Sequence, residues 1–271
     1  MKTRVISGIV MILILAATLA GGSYFPIIIT AVLATLNVIA VNEFLHNAVG
    51  IKSKFALNLA GTYSALSVFT LGGYALKLPG GISNFAALTV VYAVLAAVCT
   101  LINHESFAIK DISSLTAMPV VLTYAFGSLE GTLNHANGIY YLLLLLNFSS
   151  VCDTGAYFVG STVGKHKLCP KISPKKTVEG AVGGIVSSLV VSVILCLGFD
   201  FKAKLWVTLL LTVPFCILGM AGDLFASAVK RSAGIKDYGN LIPGHGGILD
   251  RMDSILMISP LLFLFVNAGV I

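Results

Sequence analysis

Long, uncharged and continuously apolar runs follow one another along almost the whole chain, beginning with VISGIVMILILAATLA at residues 5–20. No other feature limits the possible folds so tightly. A helix needs about 20 mostly apolar residues to cross the hydrocarbon core of a bilayer. Lipid accepts only helices or closed barrels, because every backbone polar group must find its partner within the protein. The runs lack the alternation of polar and apolar residues that a barrel strand requires, so helices are expected. Nine spans fit, near 4–20, 24–45, 55–76, 82–102, 112–129, 137–159, 178–199, 203–226 and 251–271. The chain is 57% hydrophobic and 10% charged, against about 25% charge in a soluble domain, so the bilayer must be its main solvent. An all-α, polytopic integral membrane protein is predicted, as one membrane domain over residues 1–271 without a soluble appendage.

Short polar or Gly/Pro segments, such as Gly21-Gly22-Ser23 and Leu78-Pro79-Gly80-Gly81, separate most spans. Lys2 and Arg4 ahead of the first run, with Ala17–Ala20 at its end, also suit a signal peptide; the many spans that follow favour an uncleaved first helix. The five cysteines (Cys99, Cys152, Cys169, Cys196 and Cys216) form no CxxC pair and no zinc-like spacing with histidine. They are expected to act as small apolar residues. No nucleic-acid partner is expected, and the net charge of +6 matters through where it lies.

Fourteen of the seventeen basic residues fall on the side shared by the N-terminus and the even-numbered loops: Lys2, Arg4, Lys52, Lys54, Lys110, Lys165, Lys167, Lys171, Lys175, Lys176, Lys230, Arg231, Lys236 and Arg251. Lys77, Lys202 and Lys204 fall on the other. The excess of positive charge on cytoplasmic loops then places the N-terminus and the two long basic connections, 160–177 and 227–250, in the cytoplasm. Residues 1–136 read as mainly scaffold helices, and 137–271 as catalytic helices and loops.

Four polar constellations stand out. Asp153 lies within the sixth span, where a carboxylate costs on the order of 2.5–3.5 kcal/mol to insert and must face a cation, a polar cavity or a hydrogen-bonding helix. Ser173-Pro-Lys-Lys-Thr177, with Glu179 and Gly180, precedes the seventh helix; Gly160 to His166 does not have the spacing of a phosphate loop. Helix N-termini favour anions, and Lys175 and Lys176 strengthen that preference for a polyphosphate or lipid headgroup. Gly180, Gly183 and Gly184 permit close helix packing. In the third, Asp223, Ser227 and Lys230 or Arg231 share one face if the eighth helix continues beyond the membrane edge. In the fourth, IPGHGGILDRMDS at 242–254, Pro243, Gly244, Gly246 and Gly247 allow a tight turn whose amides approach a phosphate. There His245 either donates to a phosphate or shapes the turn. Asp250 and Asp253 project from one face of the last helix, with Arg251 between them. Hard carboxylate oxygens near phosphates suit Mg²⁺ rather than zinc.

These residues resemble a known signature. SAVKRSAGIKDYGNLIPGHGGILDRMD, residues 227–253, is similar to that of the phosphatidate cytidylyltransferases, or CDP-diacylglycerol synthases: Ser-x-x-Lys-Arg, Lys-Asp, Pro-x-His-Gly-Gly and Asp-Arg-x-Asp are all present. Asp153 and the Ser173–Gly180 segment also resemble that family. The resemblance implies that CTP and phosphatidate yield CDP-diacylglycerol and pyrophosphate at the bacterial cytoplasmic (inner) membrane. It implies Mg²⁺, with allowance for a second cation, and a homodimer. By carry-over, Asp223 and Asp250 are metal ligands and Asp253 a further acidic member. Lys230, Arg231, Lys236 and Arg251 neutralise phosphates, and Ser173, Lys175, Lys176, Thr177 and Glu179 help to hold nucleotide or headgroup. Ser227, His245, Gly246, Gly247 and Asp153 complete the expected substrate-binding set. A CTP-dependent lipid-alcohol kinase is the nearest alternative. An ion-coupled transporter is a weaker one, since the inverted repeats it requires are not visible.

Overall fold

The computed structural model describes residues 2–71 and 83–271, without the side chains of residues 2–5 and 202. Lys77 and the expected turn Leu78–Gly81 lie outside the described residues, as do the end of the third expected span and the start of the fourth.

Helices carry nearly everything else. They are α1 (Lys2–Tyr24), α2 (Ile27–Asn42), α3 (Lys54–Leu71), α4 (Asn84–Ile102), α5 (Ile109–Leu133), α6 (Gly138–Leu146), α7 (Cys152–Val163), α8 (Val178–Gly198), α9 (Leu205–Ser232) and α10 (Leu249–Asn267). A π-helical segment, Glu43–Val49, prolongs α2, and another, Asn147–Val151, joins α6 to α7. Among the described residues, seven helical runs are long and apolar enough to cross a bilayer: Ile6–Tyr24, Ile27–Val49, Asn84–Ile102, Ile109–Leu133, Gly138–Val163, Val178–Gly198 and Leu205–Ser232. The chain is therefore an all-α polytopic membrane protein. The other two expected spans are also helical, but α3 mixes in Asn58, Thr62, Ser64 and Ser67, and α10 opens with Asp250, Arg251 and Asp253. Ile12, Val90, Leu101, Trp206 and Leu210 are more than half exposed. Apolar side chains left uncovered on helices this hydrophobic face lipid.

The connection after α7 is more ordered than expected. Helix continues to Val163, and an antiparallel hairpin follows, with β1 (Lys167–Cys169) paired to β2 (Ser173–Thr177) and Lys167 opposite Thr177. Strands of three and five residues are too short for their alternation to be distinguished from a loop in the sequence.

The chain packs as two compact units, Met1–Asn134 with Ala233–Arg251, and His135–Ser232 with Met252–Ile271. In the first, buried polar groups link α2 to its neighbours. Asn37 Nδ2 donates to Thr123 Oγ1 of α5 (2.9 Å) and to the Ser64 carbonyl of α3 (3.2 Å). The Thr30 hydroxyl donates to the Glu130 carboxylate. Tyr63 of α3 stacks on Tyr92 of α4 with centroids 4.2 Å apart. In the second unit Asn147 donates to Ser192 Oγ (2.9 Å) and to the Ser188 carbonyl (3.0 Å), and Ser192 meets Thr212 Oγ1 at 2.8 Å. These bonds tie the α6–α7 junction to α8, and α8 to α9, and give the groups partners that lipid cannot supply.

Helices α7 and α8 meet at glycines, as the sequence led us to expect. A Cβ at Gly180 would lie 2.7 Å from the Ala156 carbonyl oxygen, and one at Gly184 2.5 Å from that of Cys152. Only a residue without a side chain lets the two backbones approach so closely. This crossing fixes where the hairpin leaves α7 and re-enters α8.

Candidate functional site

In the second unit strand β2 directs one of its two lysines inward. Successive strand residues point to opposite faces: Lys175 is exposed, whereas Lys176 is largely covered. The Lys176 Nζ stands 2.5 Å from Asp223 Oδ2, with the two side chains 22% and 30% exposed. The ammonium is buried and makes no aligned hydrogen bond among the described residues, so the contact is Coulombic. Asp153 of α7 lies within electrostatic reach of both Lys176 and Asp223. Three sequence-predicted residues thus come together: two carboxylates and one ammonium, from α7, β2 and α9.

Helix α9 does continue to Ser232. Asp223 and Ser227 therefore sit one turn apart, and Ser227 Oγ makes a long 3.4 Å contact to Asp223 Oδ1. Lys230 follows on the same side and is half-buried, while Arg231 is exposed. Gly222 brings α10 close: a Cβ there would be 3.0 Å from the Asp253 carbonyl oxygen and 3.3 Å from the Ser254 Cα. Asp253 is thereby placed beside the α9 turn that carries Asp223, with its Oδ1 accepting the Ser254 N–H at 2.7 Å.

Two expected binding residues have structural work in the same unit. Thr177 is the N-cap of α8, its Oγ1 accepting the Gly180 N–H at 3.1 Å. The Glu179 carboxylate accepts the backbone N–H groups of Lys165 (3.1 Å) and His166 (3.2 Å) and meets His166 Nδ1 at 2.6 Å. It thereby fastens the exit of α7 to the start of α8. Ser173 is half-buried on β2.

In the first unit the Pro-x-His-Gly-Gly turn has its amides directed inward. The N–H groups of His245 and Gly246 donate to the Ile242 carbonyl (2.9 and 3.1 Å), and that of Gly247 to Asp250 Oδ2 (3.0 Å). Those of Ile248 and Leu249 donate to the two oxygens of Glu43, at 3.1 and 2.9 Å. Asp250, 5% exposed, also accepts the Tyr238 N–H at 2.7 Å. His245 is pinned through Nδ1 to Ser7 Oγ (2.8 Å), which also reaches the Pro243 carbonyl (3.1 Å). Gly246 adopts φ +86°, a left-handed conformation that a side chain would strain. Lys236 and Arg251 are exposed.

Glu43 is the residue that sequence inspection passed over. It is 7% exposed, at the π-helical end of α2. Its only signal was an acidic residue at the end of an apolar span, which looks like an ordinary boundary.

Lysine ammonium groups beside paired carboxylates suit phosphate chemistry, and comparison with known proteins identifies the lineage. Residues 2–268 match the cytidylyltransferase family. The chain belongs to that family. Curated phosphatidate cytidylyltransferases from Staphylococcus haemolyticus and Staphylococcus saprophyticus are 32% and 33% identical to it, each over 97% of both chains. One from Staphylococcus aureus is 31% identical over the same share. Similarity to these cytidylyltransferases thus runs through the first-unit helices as well as the signature at 227–253.

Proposed function

We infer that this protein transfers the cytidylyl group of CTP to phosphatidate, giving CDP-diacylglycerol and pyrophosphate for phospholipid synthesis. The reading rests on relatedness over the whole chain, and the Lys176–Asp223–Asp153 cluster is the observation in the fold that best supports it. A phosphatidate phosphate oxygen attacks the α-phosphorus of CTP. A new P–O bond forms, the α–β anhydride bond breaks, and pyrophosphate leaves with the electron pair. No side-chain nucleophile is needed, because the attacking oxygen is already anionic.

The obstacle is repulsion between a phosphomonoester and a triphosphate. Fixed positive charge offsets it and stabilises the departing pyrophosphate. We assign Lys176 that task, with Asp223 as its counter-ion until phosphate arrives, and Lys230, Arg231, Lys175, Lys236 and Arg251 as further phosphate-neutralising groups. Ser173 and Ser227 supply hydroxyls for the same anions. His245 and the Gly246-Gly247 turn shape the loop that presents Asp250.

The carboxylates fit a divalent cation of the magnesium kind. Among the described residues no group of three or more His, Cys, Asp or Glu side chains is poised around a metal. Asp153 and Asp223 nevertheless share one neighbourhood, and Mg²⁺ needs only one or two carboxylates when substrate phosphates and water complete its shell. Asp223 is the proposed ligand there, and Asp250 carries the same proposed role, with Asp253 as an additional acid. When bound, the ion would neutralise phosphate charge and polarise the leaving group.

Nine membrane crossings, a cytoplasmic active face in the bacterial inner membrane and a homodimer complete the proposal. Asp223→Asn and Asp250→Asn, each purified in its inserted form, are expected to lose Mg²⁺-dependent turnover with CTP and phosphatidate. Near-normal activity in either variant removes that residue from the metal assignment.

A further inference from the structure

We propose that Glu43 is a positioning residue for this reaction: from the end of α2 it clamps the amides that open α10, and so holds Asp250 in place. The inference rests on the function proposed above, and deepens it by adding a residue from the first-unit helices. Four observations within that unit carry it.

First, both oxygens of a single buried carboxylate are committed to consecutive backbone donors, Ile248 N–H and Leu249 N–H. The first N–H groups of a helix have no intrahelical acceptor, and their positive end favours a negative charge. Glu43 is thus an N-terminal cap supplied from about 200 residues away in the sequence. Second, the loop is built around that carboxylate. A Cβ on Gly239 or Gly247 would sit within 2.4 Å of a Glu43 oxygen, so glycine at both positions is what admits it. Third, the same turn of α2 grips the loop again: Asn47 Nδ2 donates to the Tyr238 carbonyl at 2.6 Å, and the Phe44 ring faces that of Tyr238 at 6.2 Å. The Tyr238 N–H in turn donates to Asp250, as does that of Gly247. Both of these backbone bonds to Asp250 Oδ2 therefore come from residues that the α2 end also touches or crowds. Fourth, the clamp depends on a local departure from α-helix. Glu43–Val49 is π-helical and closes with Gly50 N–H to the Leu45 carbonyl, 3.1 Å. The wider turn changes the direction of side chains beyond Asn42, a distortion that tends to accumulate at functional sites.

A carboxylate buried in an apolar span is costly unless fully paired. Glutamine at position 43 keeps the shape but turns an N–H group toward a backbone donor, leaving one amide unsatisfied. The full-length protein, purified and reconstituted in lipid nanodiscs, provides two readouts. One is hydrogen–deuterium exchange over residues 238–252 without substrate. The other is kcat and KM for CTP with phosphatidate and Mg²⁺. Glu43→Gln is expected to speed exchange in that segment on the order of tenfold, with α3 and α8 unchanged. It should lower kcat by about 10–100-fold, with KM for CTP altered by less than about threefold, while Glu43→Asp, which keeps the charge, recovers part of both. Faster exchange throughout the protein, unchanged exchange, or a normal kcat despite a loosened loop would each overturn the proposal. If Glu43→Gln does not insert, Asn47→Ala weakens the same clamp, and is expected to change both readouts in the same direction by less; no change in either overturns it. A wild-type protein that turns over no CTP with phosphatidate would sink the proposed function itself, a failure that the exchange readout distinguishes from a failure of the clamp.

Discussion

Replacing Lys176 by methionine removes the positive member of the three-residue cluster and leaves Asp223 beside Asp153 without compensation. At 2.5 Å the gross attraction between ammonium and carboxylate is about 7 kcal/mol for an effective dielectric of 20. Desolvation of both ions takes back most of that. Removing one partner of a fully buried pair costs about 3–5 kcal/mol, whereas exposed pairs contribute under about 1 kcal/mol. Side chains that are 22% and 30% exposed fall between these limits, so the coupling should be about 1–3 kcal/mol. Reversible unfolding in mixed detergent micelles, applied to Lys176→Met, Asp223→Asn and the double variant, measures it as a double-mutant cycle. The double variant is expected to be more stable than Lys176→Met alone, because asparagine needs no counter-ion. A coupling within about 0.3 kcal/mol of zero, the usual scatter for independent sites, would refute the ion pair as an energetic contact.

Gly184→Val should destabilise the α7–α8 crossing by about 1–3 kcal/mol through overpacking, since its first added carbon would meet the Cys152 carbonyl at 2.5 Å; the same unfolding assay checks this, and a neutral result would contradict the close approach. Cys169, a free thiol on β1, should react with a membrane-impermeant maleimide in inverted membrane vesicles and not in intact cells. The opposite pattern would reverse the proposed orientation.

Elements whose cause is local were readable from the chain. The seventh expected span, 178–199, is α8, Val178–Gly198, because Thr177 is a strong N-cap residue and the run behind it is unbroken. The extension of α9 to Ser232 was foreseen as the condition for Asp223, Ser227 and Lys230 to share a face. The resemblance at 227–253 is carried by residues close together in sequence and points to the family without reference to the fold. What escaped notice depends on distant partners. The Lys176–Asp223 pairing joins β2 to α9, and nothing near either residue indicates it. The glycine turn was expected to offer its amides to a phosphate, and its composition suits that role equally well. The inward direction became visible only with Glu43 and Asp250 in place as acceptors. Glu43 itself, and the π-helical turn that aims it, have no periodic signature, because one acid at the end of an apolar span is what any membrane helix presents.

The central claim is the transfer of a cytidylyl group to a lipid phosphate, and isotope position tests it most directly. Purified protein incubated with phosphatidate, Mg²⁺ and CTP labelled at either the α- or the γ-phosphate should place only the α-label in lipid and release the γ-label as pyrophosphate. Lipid carrying the γ-label instead would mark a CTP-dependent kinase and contradict the account.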